Sequence, residues 1–292
     1  MATETGWKSI WVELLGSQVR FVKGKRFTTR VIEAGTGDPL ILIHGGGGHA
    51  EAWARNVMNL GKHFHVYAID ALYHGLSSKE PAAEGDEAQN NQVAAIIELM
   101  DEEGLPWAHV EGESMGAHLT FRLGLQHPDR CGKLIINTGQ QVKFSKPLPP
   151  PRSAVENAFQ LAAEFLNNPS QEGMRRRLEW LMASPDRVTD ELVDLRIKLW
   201  TLPDTAASMS RRFGGGARPT LFSEDDCKRI KNPTLVFWTE FNPSNAVEVG
   251  EYFASLIPGA KFYLMKDAAH WPQWEHPEEH DRVIMDFLQG RL

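Results

Sequence analysis

One serine stands in a setting that suits a catalytic nucleophile. Ser114 is the central residue of the pentapeptide Gly112–Gly116, which follows the aliphatic run Ala108–Glu113 and precedes a helical pattern over Ala117–Gln126. Glycines on both sides of the serine permit a sharp strand-to-helix turn that exposes its hydroxyl above the end of a sheet. In that turn the Met115 N–H faces an oxygen that gains negative charge during acyl transfer. We therefore predict that Ser114 is the nucleophile and that Met115 supplies one oxyanion donor.

A glycine-rich segment earlier in the chain is a candidate for the second oxyanion donor. The glycines Gly45–Gly48 come after His44, which ends the strand-like run Pro39–His44. Because these residues lack side chains, their N–H groups can approach a carbonyl oxygen closely, and Gly45 or Gly46 is the predicted donor. A phosphate-binding loop is the alternative, but the Gly-Lys-Ser/Thr sequence of such loops does not follow.

The predicted base for this serine is a histidine near the carboxyl end of the chain. His270 comes four residues after the strand-like run Lys261–Lys266. A histidine in that position lies beyond the end of a strand, where it can reach Ser114, and the order of nucleophile before histidine is typical of this motif.

The third member of the predicted triad is less clear from the sequence. An aspartate usually follows the strand before the histidine, and here that strand ends in Trp-Thr-Glu-Phe-Asn, with Asn242 at the expected position. Asparagine can accept the imidazole N–H and fix the tautomer, although it stabilises imidazolium less than aspartate does. Glu240 is the alternative acid, and strand register decides between the two. We favour Asn242 and keep Glu240 as the alternative.

The elements that would hold these residues alternate in type. Short aliphatic or β-branched runs recur between helical patterns, at Pro39–His44, His65–Asp70, Ala108–Glu113, Lys133–Asn137, Pro233–Glu240 and Lys261–Lys266. This alternation is typical of β-α-β units that form a mostly parallel, doubly wound sheet, with the chemistry at the strand ends. Together with the motifs above it predicts an α/β-hydrolase fold.

A helical insertion interrupts the alternation. Apolar residues recur at helical spacing in three segments, with Ser153, Ser170 and Thr189 as predicted N-caps: Ser153–Leu166, Gln171–Met182 and Thr189–Trp200. We predict a core domain over residues 1–140 and 229–292 and a helical cap over 141–228. The basic run Arg175–Arg177 is expected on a solvated helix face of this cap.

Composition restricts the partners and the compartment. The formal net charge of −7 disfavours nucleic acid and anionic membranes as partners, so we expect a small-molecule substrate. Cys131 and Cys227 are too few for a disulfide framework or a zinc cluster, and neither a metal nor an organic cofactor is expected. The segment Met1–Gly16 lacks the apolar core of a signal peptide, which predicts a cytoplasmic protein.

These motifs make the chain resemble the meta-cleavage product hydrolases, the C–C bond hydrolases of aromatic-ring degradation. The similar segments extend over almost the full length: His44–Gly47, Gly112–Gly116, Glu191–Arg196 in the cap, and His270–Glu275. The resemblance implies that Arg196 binds the carboxylate of a 2-hydroxy-6-oxo-hexa-2,4-dienoate substrate, since a guanidinium fork matches a planar carboxylate. It also implies that Trp271 lines the same pocket, and that the protein forms a homodimer.

Arg196 and Trp271, which the resemblance places at the substrate, could instead have purely structural roles. Arg196 could form a surface salt bridge with Asp194 or Glu191, and Trp271 could simply pack in the core. The chain also departs from the usual family pattern at four places: Glu113 replaces an asparagine, Ala117 a glycine, Gly47-Gly48-His49 a glycine-proline-glycine sequence, and Asn242 an aspartate.

Three functions are compatible with this sequence. The leading hypothesis is hydrolysis of the C–C bond of an aromatic ring-fission product. A carboxylesterase or lactonase would use the same serine and histidine without the ketonisation step. A ligand receptor that retains a hydrolase pocket is the third hypothesis, and Asn242 favours it. An epoxide hydrolase or haloalkane dehalogenase is disfavoured because those enzymes place aspartate where this chain has Ser114.

Overall fold

A mixed β-sheet forms the centre of the protein. The computed structural model describes residues 9–153 and 155–292, so part of the Met1–Gly16 segment, for which no export signal is predicted, lies outside the described residues. The strands within these ranges are β1 Gln18–Lys23, β2 Thr28–Ala34, β3 Pro39–Ile43, β4 His65–Ile69, β5 Ala108–Glu113, β6 Cys131–Asn137, β7 Thr234–Thr239 and β8 Lys261–Met265. Their order across the sheet is β1-β2-β4-β3-β5-β6-β7-β8.

Most of the sheet is parallel, as its sequence predicted. Strands β4, β3, β5, β6, β7 and β8 are parallel, whereas β1 and β2 form an antiparallel hairpin that joins the sheet at β4. The six predicted strands are all present, with ends that differ by at most two residues. Strands β1 and β2 were not predicted from the sequence. Most of β1 faces solvent and its sequence, Gln-Val-Arg-Phe-Val-Lys, mixes charged with apolar residues.

Helices cover both faces of the sheet. In the described ranges they are α1 Ile10–Glu13, α2 Ala54–Leu60, α3 Gly85–Glu102, α4 Met115–Gln126, α5 Val155–Asn167, α6 Gln171–Glu179, α7 Asp190–Trp200, α8 Pro203–Phe213, α9 Glu224–Lys228, α10 Val247–Leu256, α11 Pro272–Glu275 and α12 Pro277–Leu288. None of these helices combines the length and the apolar character that crossing a bilayer would require.

The alternation of side chains along the central strands builds two separate cores. In β3, Leu40 and Leu42 pack with α2 and α12, whereas Ile41 and Ile43 pack with α3, α4 and α10 on the opposite face. All four side chains are fully buried. A strand buried on both faces is apolar throughout, which is why β3 was visible as a continuous aliphatic run.

Helices α5 to α8 form an insertion between β6 and β7. Two of the predicted N-caps are present: the Ser170 hydroxyl accepts the Gly173 N–H before α6, and Thr189 accepts the Leu192 N–H before α7. The two ends of the insertion meet through two backbone hydrogen bonds. The Phe222 N–H donates to Gln141 O at 2.8 Å, and Phe222 O accepts the Lys143 N–H at 2.8 Å. The four helices fall within the predicted cap, 141–228.

Candidate active site

The structure places Ser114 on a strained turn between β5 and α4. Its backbone has φ 54° and ψ −109°, a conformation that non-glycine residues rarely adopt outside such functional turns. A Cβ atom on Gly112 would lie 2.1 Å from the Gly116 backbone, and one on Gly116 would lie 2.2 Å from Ile43 O. Both glycines are therefore required for the close packing that forms the turn.

The predicted oxyanion donors surround the same cavity as this serine. Met115 is the first residue of α4, and Gly45 and Gly46 lie in the loop after β3; all three line the cavity together with Ser114. The loop is held in place at its start, because the Gly48 N–H donates to Gly45 O at 2.9 Å. Fixed N–H groups of this kind stabilise a developing oxyanion without reorganisation.

Asn242, and not Glu240, lies beside His270. Asn242 Oδ1 is 3.0 Å from His270 Nδ1, and it also accepts the Ser244 hydroxyl at 3.0 Å. Since this oxygen only accepts, Nδ1 carries the imidazole hydrogen and Nε2 is left free to act as a base. Glu240 instead accepts the Asp267 N–H at 3.2 Å and lies 3.5 Å from Lys266 Nζ, so the register of β7 directs it away from the histidine.

Glu113, to which no role was assigned from the sequence, lies against the candidate base. Its Oε1 lies 3.3 Å from His270 Nε2, the nitrogen that would take the Ser114 proton, and the residue is fully buried. Burial raises the pKa of Glu113 to about 8, although the Gly45 N–H and the nearby Arg196 and Arg177 favour its charged form. The replacement of the usual asparagine by glutamate before the nucleophile was the only signal for this contact.

Burial also sets the protonation state of the histidine. It lowers the pKa of His270 to about 3, with a further lowering from Arg177 and His118. At neutral pH the imidazole is therefore neutral, as a general base must be. In the described residues no hydrogen bond joins Ser114 Oγ to His270, whose Nε2 faces Glu113 instead. Such hydrogen bonds often tighten only when substrate is bound.

The cavity lies between the cap and the core and measures about 390 Å³. Besides Ser114 and His270, it is lined by large apolar side chains, chiefly Phe159, Trp180, Leu181, Met209, Phe213 and Trp271. A volume of this size suits a small organic molecule. Among the side chains that the structure describes, no three from His, Cys, Asp or Glu come together in the way that would hold a metal ion.

Trp271 and Arg196, the two residues that the family resemblance predicts to bind substrate, differ in their position relative to the cavity. Trp271 lines the cavity. Arg196 is fully buried and outside the cavity lining, with its guanidinium 5.3 Å from the Trp271 ring centre. None of its three guanidinium nitrogens has a hydrogen-bond partner among the described residues, so the salt bridge with Asp194 or Glu191 is not formed.

The expectation that Arg175–Arg177 lies on a solvated helix face is wrong for Arg177. Arg175 pairs with Asp190 and Arg176 with Glu164 at the surface, but Arg177 is only 3% exposed and lines the cavity. Its neighbours on α6, Met174 and Leu178, are also buried, so this face of the helix points into the cap. A run of three arginines spans more than half a helical turn, so one of them must turn inward when the helix is packed.

Comparison with known proteins identifies the fold family. The family model described as the alpha/beta hydrolase fold matches residues 38–277. A 2-hydroxy-6-oxo-6-phenylhexa-2,4-dienoate hydrolase of Comamonas testosteroni is 28% identical over 270 residues, which cover 89% of this chain and 90% of that protein. A 2-hydroxy-6-oxononadienedioate/2-hydroxy-6-oxononatrienedioate hydrolase of Burkholderia vietnamiensis is also 28% identical, over 88% of this chain and 89% of the relative. These names confirm the resemblance to the meta-cleavage product hydrolases.

Solved structures agree on the fold. A serine hydrolase from Cycloclasticus zankles superposes with a TM-score of 0.83 at 22% identity, covering 94% of this chain and 99% of its own. A meta-cleavage product hydrolase from Pseudomonas fluorescens gives a TM-score of 0.79 at 23% identity, over 94% of this chain and 98% of its own. At these identities the likeness concerns the fold alone. With its mostly parallel sheet, its strand-turn-helix serine and the family match over 38–277, the chain belongs to the α/β-hydrolase fold family.

Proposed function

We propose that this enzyme is a serine-dependent hydrolase that cleaves the C–C bond of a 2-hydroxy-6-oxo-hexa-2,4-dienoate-type ring-fission product. The observation that carries the proposal is the cavity under the cap, which joins Ser114, the predicted oxyanion donors and a His270 whose Nδ1 is fixed by Asn242. The names of the similar proteins from Comamonas testosteroni and Burkholderia vietnamiensis support this class of substrate.

The first step prepares the bond for cleavage. His270 takes the proton of the substrate's 2-hydroxyl group and delivers it to C5, at the far end of the dienol. The carbon that carried the hydroxyl group becomes a ketone. That ketone, at C2, accepts the electron pair of the C5–C6 bond through the conjugated C3=C4 bond when the C–C bond breaks. The neutral imidazole and its unprotonated Nε2 suit this relay.

The second step is acyl transfer. Ser114 Oγ attacks the distal carbonyl carbon while its proton passes to His270 Nε2. The N–H groups of Met115 and of Gly45 or Gly46 stabilise the tetrahedral oxyanion. When the C–C bond breaks, its electron pair leaves on the dienoate fragment as a resonance-stabilised enolate, which takes a proton from the imidazolium. Water then hydrolyses the acyl-enzyme and releases a carboxylic acid.

A colorimetric assay tests this proposal. Ring-fission products with alkyl, aryl and carboxyalkyl distal groups are yellow, and we expect purified enzyme to bleach at least one of them. Ser114→Ala should lower kcat by about 10³-fold or more. Ser145→Ala, at an exposed serine bonded to Glu224, is the matched control and should keep full activity. If every yellow product keeps its colour, the C–C hydrolase proposal is wrong.

Ester or lactone hydrolysis is the second candidate function. It is favoured by the position of Arg196, which lies outside the cavity lining, because an ester needs no carboxylate anchor for ketonisation. The two functions differ in substrate preference. A C–C hydrolase should show a higher kcat/KM for a ring-fission product than for p-nitrophenyl esters, and an esterase should show the reverse order.

A further inference from the structure

Two arginines meet at the glycine loop Gly45–Gly48, where Arg177 is buried and Arg212 is partly buried. Arg177 of α6 has its Nη2 3.4 Å from Gly46 O. Arg212 of α8 packs on the same glycine, because a Cβ atom on Gly46 would lie 2.7 Å from its Nη2. Both arginines line the cavity that contains Ser114. Two guanidinium groups from different cap helices thus converge on one point of the candidate active site.

Neither guanidinium has a counter-ion within the part of the chain that the structure describes. Among the described residues, Arg177 donates hydrogen bonds only to two backbone carbonyls, that of Ala158 at 2.6 Å and that of Gly46. The Nε atoms of Arg177 and Arg212 are both buried without an acceptor. Burial of an unpaired cationic group is costly, so two guanidiniums whose Nε atoms are buried without an acceptor beside the same cavity indicate a missing anion.

The other titratable groups around the cavity do not supply that anion. Burial lowers the pKa of His118 to about 4, that of His270 to about 3 and that of His74 well below its usual value, so these histidines are neutral. Burial raises the pKa of Glu113 to about 8, so at neutral pH this carboxyl is largely protonated. The other carboxylate on the cavity wall, Glu84, is exposed and accepts the Ala217 N–H.

The charge of the cavity is therefore opposite to that of the whole chain. Arg211 and Arg218 also line its wall, which adds to the positive charge, whereas the formal net charge of the protein is −7. A positive cleft on an acidic protein attracts small anions selectively.

Aromatic side chains restrain the guanidinium group of Arg177. Its guanidinium lies 5.2 Å from the Trp200 ring centre and 4.9 Å from that of Phe213. Trp200 is fixed in turn by a hydrogen bond from its Nε1 to Gly47 O at 2.8 Å. Because aromatic side chains restrain the guanidinium, little conformational entropy is lost when it binds an anion.

We propose that Arg177 and Arg212 together bind a carboxylate of the substrate at the Gly46 side of the cavity. The resemblance gives this task to Arg196, which lies behind Trp271 in this chain. Two planar guanidiniums can each donate two hydrogen bonds to a carboxylate, which gives both charge and orientation. The identity of the acid rests on the proposed function, but the carboxylate subsite itself does not.

A non-cleavable probe tests the subsite directly. Sorbate (2,4-hexadienoate) carries a diene and a carboxylate, and 2,4-hexadien-1-ol is its neutral counterpart. In isothermal titration calorimetry at pH 7, we expect the wild-type protein to bind sorbate but not the alcohol. Arg177→Gln and Arg212→Gln should each weaken sorbate binding by about 10- to 100-fold. Arg212→Lys, which keeps the charge, should recover part of the affinity.

Matched controls separate binding from folding. Arg176→Gln changes the neighbouring surface arginine on α6 and should leave sorbate affinity unchanged. Arg212→Gln removes a cation without a counter-ion, so its melting temperature should equal or exceed that of the wild type. Arg196→Gln should weaken sorbate binding less than Arg212→Gln does. The subsite is refuted if the wild type shows no saturable sorbate binding below about 10 mM, or if Arg196 alone controls the affinity.

Failure of the subsite can be distinguished from failure of the proposed function. If sorbate binding depends on Arg212 but no ring-fission product is cleaved, the subsite stands and the C–C hydrolase proposal falls. If ring-fission products are cleaved but Arg212→Gln changes neither their KM nor sorbate binding, the subsite is wrong and the hydrolase proposal stands.

Discussion

Replacement of Glu113 by glutamine should make the protein more stable and change its response to pH. Glu113 is fully buried, and burial raises its pKa from 4.5 to about 8. In the unfolded chain the carboxyl ionises near pH 4.5, but in the folded protein it stays protonated until about pH 8. Between these values each pH unit lowers the free energy of unfolding of the wild type by about 1.4 kcal/mol.

The size of this loss in the free energy of unfolding follows from the pH range between 4.5 and 8. Below pH 4.5 the carboxyl is neutral in both states and has no pH-dependent effect. At pH 7 the wild type has lost about 3 kcal/mol relative to that limit, and above pH 8 the loss levels off at about 5 kcal/mol. Glutamine cannot ionise, so the stability of Glu113→Gln should not decline in this way. Its advantage over the wild type should grow from pH 5 to pH 8.

Urea unfolding at pH 5, 6, 7, 8 and 9 measures this difference, with Glu84→Gln as the control. Glu84 lies on the same cavity wall but is exposed, so its replacement should give a curve parallel to that of the wild type. Parallel curves for Glu113→Gln and the wild type would show that Glu113 is ionised at neutral pH, contrary to this prediction.

The same residue should affect catalysis. Glu113 Oε1 lies 3.3 Å from His270 Nε2, so a protonated carboxyl at this position can compete with the Ser114 hydroxyl for the base. When Glu113 ionises, this competition ends and a negative charge lies beside the imidazolium of the transition state. We expect kcat of the wild type to rise through an apparent pKa near 8 and this rise to be absent in Glu113→Gln.

Three further predictions concern the triad, the core and the serine turn. Asn242→Asp places a carboxylate beside His270 Nδ1 and should raise kcat for a p-nitrophenyl ester by about tenfold or more; a lower kcat would contradict this role. The pKa of His280 is raised to about 9 by Glu111 and Asp281, despite its burial. Its protonated form therefore stabilises the fold below pH 6.5, and this effect is lost as the pH rises through 9. The stability difference between the wild type and His280→Gln, from urea unfolding, should shrink by about 3 kcal/mol between pH 6.5 and 9. Gly116→Ala should destabilise the protein by at least about 2 kcal/mol in thermal unfolding, because the new Cβ meets backbone; a neutral effect would contradict the tight turn.

The sequence predicted the parts of the fold whose signal is local. A strand buried on both faces, such as β5, is visible in the sequence as a continuous run of strand-forming residues between two helical patterns. Ser114 follows directly after the end of this strand. The N-caps Ser170 and Thr189 were visible for the same reason, because a capping hydroxyl bonds within its own first turn. The exposed strand β1 was missed since it lacks such a run.

The parts of the site that depend on tertiary packing could not be predicted in this way. The choice between Asn242 and Glu240 depends on the register of β7, which no local pattern fixes. The inward direction of Arg177 depends on how α6 packs in the cap. Burial of Glu113 against Gly45, where an added Cβ would lie 2.3 Å from Oε2, depends on two strands that meet only in the folded sheet.

Covalent labelling of Ser114 shows directly whether Ser114 and His270 act as nucleophile and base. A fluorophosphonate should modify this serine alone, as identified by peptide mass mapping, and Ser114→Ala should abolish the modification. His270→Ala should slow labelling by about 10³-fold or more, because the serine loses its base. Labelling at another residue, or at an unchanged rate in His270→Ala, would show that the two side chains do not act as nucleophile and base.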